Sequence, residues 1–276
     1  RQEAAEAWGM DRVPVVAGGG DNAAGAVGVG VVDEGDALLS LGTSGVIFVA
    51  GNKFRSNPGS AAHAFCHALP DRWHLMSVML SAASCLDWAC RATGTKSAET
   101  LIEKAEQDGT IAGQEVFLPY LSGERTPHNN PYASGVLFGL THDTGTAQIA
   151  QAVLEGVAFG MADGLDALLA CGIDITSISV IGGGSQSAYW GRILAAVLKR
   201  PLFYRDGASS GPALGAARLA RYSQNPMSYE DAFGAPATTN VIEPHDADMD
   251  RLETKRKKFT RLYGALSDEF TGASNG

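Results

Sequence analysis

Paired cysteines are missing: Cys66, Cys85, Cys90 and Cys171 show no CxxC and no matched spacing in a chain of 276 residues. That excludes a disulfide framework and reads as reduced, packed thiols in a cytoplasmic protein. No apolar run approaches the roughly 18 residues of a membrane span, and no basic stretch leads into an apolar one, so neither a span nor a secretory signal is expected. Positive charge is scarce, with 21 Lys and Arg against 30 Asp and Glu and a net charge of −9. Nucleic acid is therefore excluded as a partner, because its phosphates need clustered cations. The one basic cluster, KRKK at 255–258, falls in a charged amphipathic segment and is expected to be a solvated helix face. Two catalytic signatures are also missing. Without GxxxxGK[ST] the chain is not a P-loop enzyme, and without GxSxG it is not a Ser-His-Asp hydrolase of the elbow type.

What is present is 45% hydrophobic residues, enough for one large core or two small ones. The chain starts at Arg1 inside a helical pattern and without an initiator Met, as expected of a piece of something longer. A short helix is expected over 2–10, and the β-branched run VPVVAGG (13–19) reads as a buried strand. Asp21 then opens a helix of small residues. The run ALLSLGTSGVIFVAG (37–51) reads as a hairpin turning on Gly42, Thr43, Ser44 and Gly45. Further strands are expected at 72–78, 177–183 and 201–205. Helices are expected at about 81–92, over AETLIEKAEQ (98–107), and at 146–170, 187–199, 212–222 and 246–269. The stretch 222–244 reads as an irregular loop. This order gives an α/β fold with a mixed sheet.

Three glycine-rich turns stand out, at 18–20, 42–45 and 182–184. Glycine lets a backbone approach a ligand, and a helix N-terminus adds a positive dipole end, so such junctions suit phosphate. The first and third share one plan, strand, GGG, polar residue and helix, which suggests two related halves facing each other. Asp21 has two readings. It is either an N-cap that satisfies a backbone N–H two or three residues on, or a proton acceptor. Phosphoryl transfer asks little basicity of such an acceptor, since the hydroxyl proton leaves late in a loose transition state. His63 and His67 in HAFCH invite a zinc reading, but the segment looks extended and no third ligand matches, so packing is the expected role. In the long loop PYLSGERTPHNNPYASG (119–135), Glu124, Arg125 and His128 either line a cleft or serve structure, with Arg125 pinning the loop through an ion pair.

The turns taken in order, with GGGDNAAGAVG, LSLGTSG and MLSAASCLDW, resemble the carbohydrate kinases of the FGGY family. GVLFGL followed by QIAQAVLE (148–155) resembles a second signature of that family. The wording GGGDN is most similar to members that act on D-xylulose. The resemblance fades after about 225 and covers the second half of such a kinase. It implies an actin-like ATPase (ribonuclease-H-like) α/β domain with a five-stranded mixed sheet. On this reading 1–30 end the first, sugar-binding domain and 31–276 form the nucleotide-binding domain. It implies Asp21 as catalytic base, Asn22 as a sugar contact, and Gly42, Thr43, Ser81, Gly183 and Gly184 at ATP. The cofactors implied are ATP and Mg²⁺, with no metal ligand in this chain, and the partners are the sugar and the N-terminal kinase domain. Because many members dimerise, a homodimer is among the implied partners. Ala188 departs from the pattern, standing where an asparagine often meets adenine. The alternatives that stay open are a non-catalytic actin-like nucleotide-binding module, or the same chemistry on L-ribulose, glycerol or gluconate.

Overall fold

The computed structural model describes residues 1–270, so the last six residues of the expected second domain lie outside the described residues. Its centre follows from alternation along two strands, β1 (Asp36–Leu41) and β2 (Gly45–Gly51). Ala37, Leu39, Leu41, Ile47 and Val49 enter one core, while Leu38, Val46, Phe48 and Ala50 enter a second core on the opposite face. A period of two sends neighbouring side chains to opposite faces, and both faces here are covered.

After the small helices α1 (Gln2–Ala7) and α2 (Asp21–Gly28) and this hairpin come β3 (His63–Cys66), β4 (Trp73–Met79), α3 (Ser84–Thr93) and α4 (Ala98–Asp108). A separate small hairpin pairs β5 (Val116–Leu118) with β6 (Val136–Phe138). The long helix α5 (Thr146–Leu169) is apolar almost all round and buried, so it forms the spine of the larger core. Then follow β7 (Ser177–Ile181), α6 (Ala188–Leu198), β8 (Leu202–Arg205), α7 (Gly211–Gln224), α8 (Tyr229–Phe233), β9 (Thr238–Ile242) and α9 (Asp246–Leu266).

The main sheet has seven strands in the order β3-β4-β2-β1-β7-β8-β9. β1, β7 and β8 run parallel to one another, and the remaining pairings are antiparallel. The expected mixed α/β sheet is therefore present with seven strands rather than five. The two extra strands are the edges. β3 is only four residues long, and β9 is the polar and largely exposed TTNVI, whose strand character comes from pairing with β8 and not from an apolar pattern. The run 13–19 is not a strand. Val13 and Val15 are 55% and 95% exposed, and no strand among the described residues pairs with it. An apolar run becomes a strand only beside a partner. No helix among the described residues is long and apolar enough to cross a membrane.

Beneath the sheet, α2 runs against α7 at a spacing only glycine permits. A Cβ on Gly215 would overlap the Ala24 carbonyl oxygen and crowd the Gly28 nitrogen. Arg218 on the same helix caps the end of α2, its Nη1 donating to the carbonyls of Val27 and Gly28 at 3.0 Å each. Gly215→Ala is expected to cost about 1–3 kcal/mol, the usual penalty for overpacking, read as a lower midpoint in urea.

The KRKK segment does not form a solvated face. On α9, Asp248, Leu252, Lys255 and Phe259 share the buried side of the helix. Lys255 pairs with Glu155 of α5, which is fully buried, and Arg256 bridges Asp163 at 2.7 Å and Asp166 at 2.6 Å. Lys258 donates to the Gln114 carbonyl at 3.1 Å. These basic residues answer carboxylates and a carbonyl supplied by the rest of the chain, which lie too far away in sequence for a charge pattern to show.

Candidate nucleotide-binding cleft

Because β1 and β7 are parallel neighbours, the hairpin tip that follows β1 and the glycine turn that follows β7 emerge side by side at the carboxyl ends of the strands. In open α/β sheets that is where ligands collect. A cleft of about 630 Å³ opens there. One wall is Leu41, Gly42 and Thr43 with the start of α3, the other is Gly183, Gly184 and Tyr189, and α4 closes the end with Ala98 and Ile102.

The hairpin tip is held rigid from outside. The Thr43 carbonyl accepts the N–H of Ala82 at 2.9 Å, the N–H of Ser84 at 3.3 Å and the Ser84 hydroxyl at 2.9 Å. The Gly42 carbonyl accepts the N–H of Ala83 at 3.0 Å. The Thr43 and Ser44 hydroxyls remain exposed and have no hydrogen-bond partner among the described residues. The tip therefore presents two free hydroxyls from a braced backbone.

The opposite turn needs glycine at its first position. Gly182 has φ of 94°, and a Cβ there would press on the backbone of Leu41, the last residue of β1. Ser185 folds back to donate to the Gly182 carbonyl, and Ser187 caps α6 by accepting the N–H of Trp190 at 3.1 Å. Ala188 lines the cleft, so the place of the missing asparagine is a small apolar patch of wall.

Tyr189 is fixed from behind. Its hydroxyl donates to Gln151 Oε1 at 2.7 Å, and Gln151 Nε2 donates to Glu155 Oε1 at 2.6 Å, which also accepts the Ala112 N–H at 2.7 Å. Burial, with Glu155 adding to it, pushes the Tyr189 hydroxyl up to about 12, so it stays a donor. The lining includes Asp87, Glu99, Glu103 and Glu106 and no Lys or Arg. A polyanion would be received by hydroxyls, by N–H groups and by the end of α3 rather than by side-chain cations.

Of the residues expected at a nucleotide, Gly42, Thr43, Gly183 and Gly184 are brought together on this one cleft. Ser81 is not. It is 2% exposed, and its carbonyl accepts the Cys85 thiol at 3.3 Å. Ser84, three residues on, lines the wall instead. The start of a helix can be read from sequence, but which of two serines faces out depends on where the strand before it ends. Sequence reading also missed Tyr189 and the α4 face, because an amphipathic pattern marks a helix without saying what its polar side overlooks.

Asp21 and Asn22 lie at the start of α2, outside the lining of this cleft. Gly25, one turn further on, rests against Ile181, the last residue of β7, so α2 begins near the same end of the sheet but beneath it. Gly20 is the cap residue, and Asp21 is the first helical one. The Asp21 carboxylate is exposed and accepts from Asn22 N at 2.8 Å and Asn22 Nδ2 at 3.2 Å. It satisfies no N–H two or three residues on, so the N-cap reading does not describe it.

The histidine pair does not make a metal site. His67 Nε2 meets the Val31 carbonyl at 3.1 Å, its Nδ1 accepts the Leu69 N–H at 3.2 Å, and its ring packs edge-on against Phe48. Among the described residues no three His, Cys, Asp or Glu side chains converge as metal ligands. In the long loop, Arg125 is exposed and makes no ion pair among the described residues, so it does not pin the loop. Glu124, buried, is the residue anchored there, accepting the N–H groups of Leu80 at 3.0 Å and Arg125 at 2.7 Å.

With this geometry in hand, residues 37–223 match the C-terminal domain of the FGGY family of carbohydrate kinases. The xylulose kinase of Escherichia coli K12 is 55% identical over 267 residues, a match covering 96% of this chain and 55% of that protein. Among solved structures, a xylulose kinase from Brucella ovis superposes with a TM-score of 0.90 at 42% identity, covering 97% of this chain and 55% of that one. One from Rhodospirillum rubrum gives 0.85 at 28%, covering 98% and 55%. The chain thus spans about half the length of the relatives it matches.

Proposed function

The chain belongs to the FGGY family of carbohydrate kinases, and from that premise we propose that it is the C-terminal part of an ATP-dependent kinase converting D-xylulose to D-xylulose 5-phosphate. The observation that carries the reading is the placing of Gly42–Thr43 and Gly183–Gly184 on opposite walls of one cleft. The choice of sugar is supported by relatives of 55% and 42% identity, both named for xylulose.

In this reading adenosine lies over Gly183 and Gly184 with its base toward Tyr189 and Ile102, and the phosphates point to the hydroxyls of Thr43 and Ser44. Asn22 holds the sugar and steadies the Asp21 carboxylate. The terminal hydroxyl oxygen of the sugar attacks the γ-phosphorus, and the bond to the β–γ bridging oxygen breaks with its electron pair leaving on ADP. The hydroxyl proton passes to Asp21. Positioning and charge stabilisation supply most of such a rate, and closure over the cleft would exclude water. Ser81 contributes through the fold, not by contact. Mg²⁺ is proposed to arrive with ATP and, as the family resemblance implies, to be held mainly by side chains of the preceding half together with the phosphates.

We assign 1–30 to the end of a first, sugar-binding domain and 31–276 to the nucleotide-binding one, with the partner being the preceding half. The exposed run around Val13 and Val15, a strand by sequence and unpaired here, supports that division. The test is D-xylulose-dependent ADP release by this chain alone and after addition of the separately produced first half, with L-ribulose, glycerol and gluconate as competing acceptors. Turnover is expected only in the mixture and fastest with D-xylulose. Nucleotide binding without turnover in either case would leave a non-catalytic actin-like module, and preference for another acceptor would reassign the sugar.

A further inference from the structure

The loop SGERTPHNN has no part in the chemistry above, yet it buries a carboxylate with no ion-pair partner among the described residues, the exposed Arg125 acting on it only from further off. Glu124 is 3% exposed and pairs with no Lys, Arg or His among the described residues. Burying an unpaired carboxylate is costly, so a position that keeps one is being used for its hydrogen bonds. Both of those go to backbone, and the more distant partner is Leu80, immediately after the last residue of β4. Thr126 completes the junction. Its N–H donates to the Val78 carbonyl at 3.1 Å, and its hydroxyl accepts the Val78 N–H at 3.2 Å and donates to the Ala61 carbonyl at 3.1 Å. The loop therefore grips the chain at Val78, near the end of β4 and still paired with Val46, and at Leu80, the first residue that the ladder no longer fixes. Two residues further on, Ala82, Ala83 and Ser84 supply every N–H that clamps the Gly42 and Thr43 carbonyls.

We propose that Glu124 is a positioning residue for the phosphate-facing hairpin tip, fixing through Leu80 the Ala82–Ser84 segment that holds Gly42 and Thr43 in place. Burial raises the Glu124 carboxyl to about 7, and the two N–H donors pull against that rise. The ionised form is the stronger acceptor, since a charged hydrogen bond is roughly twice as strong as a neutral one. The inference deepens the ATP-binding reading and rests on it for its functional arm, while its structural arm stands alone.

Glu124→Gln keeps the shape and removes the charge. In native-state hydrogen exchange on the folded variant, the amides of Leu80, Ala82 and Ala83 are expected to exchange about fivefold faster, with those of α5 unchanged, as the weakening of one charged bond implies. In titrations of the chain with ATP and with adenosine, the variant is expected to lose about fivefold in ATP affinity and nothing for adenosine, because only the phosphates reach the tip. Unchanged exchange at Ala82 and Ala83, or equal losses for ATP and adenosine, would overturn the proposal. Should the unmutated chain bind neither nucleotide nor nucleoside, the ATP reading fails, and hydrogen exchange still decides whether Glu124 positions the tip.

Discussion

Asp21→Ala, made in the polypeptide that also carries the first half, is expected to lower kcat by about 10²–10⁴, the range for loss of a proton acceptor, while ATP affinity stays within about twofold. The variant is clean because of what Asp21 does not do. It is exposed, Gly20 and not Asp21 caps the helix, and its hydrogen bonds reach only to its neighbour Asn22. Thermal stability should therefore move by no more than about 1 kcal/mol, the scale of a lost helix-dipole interaction. The seat of α2 is built from other residues, namely Ala23, Ala26 and Val29 in the core below the sheet and the Arg218 cap at its far end. A wild-type kcat in this variant, measured with ATP and D-xylulose, would reduce Asp21 to the first residue of a helix.

The second large effect is on stability. Lys255→Met would leave Glu155 fully buried with its cation gone and only Ala112 N–H and Gln151 Nε2 as donors. Breaking a buried pair from one side costs about 3–5 kcal/mol, because the remaining charge is uncompensated. For a chain of this size that is a fall in Tm of about 10 °C. The damage should reach the cleft, since Gln151, which Glu155 orients, holds the Tyr189 hydroxyl. Replacing both partners, Lys255→Met with Glu155→Gln, should recover part of the loss. A Tm for Lys255→Met within about 2 °C of wild type, where substitutions on an exposed face usually fall, would mean that the segment is solvated as its sequence suggests.

These two cases mark what sequence could and could not provide. The strands around LGTSG were legible because each carries its own period-two pattern, and α5 because an apolar helix of that length can only be interior. Asp21 stood out in the sequence as one charge beside three glycines, and its proposed role as proton acceptor starts from that placing. What escaped depends on partners distant in sequence. The role of Lys255 is set by a glutamate a hundred residues away, and β9 becomes a strand only because β8 offers it an edge. Val13 and Val15 give the reverse case, a strand pattern that finds no neighbour here. Ser81 and Ser84 differ by less than one helical turn, and the one that faces the cleft is set by where β4 ends and α3 begins, which no local pattern reveals.

The most direct test is a structure of this chain with a non-hydrolysable ATP analogue. The expected result places the triphosphate against the Thr43 and Ser44 hydroxyls and the base between Gly184, Ile102 and Tyr189, inside the cleft of about 630 Å³. An analogue seated instead in the smaller hollow of about 380 Å³ beyond Gln186, between Tyr204 and Asn240, would contradict the assignment.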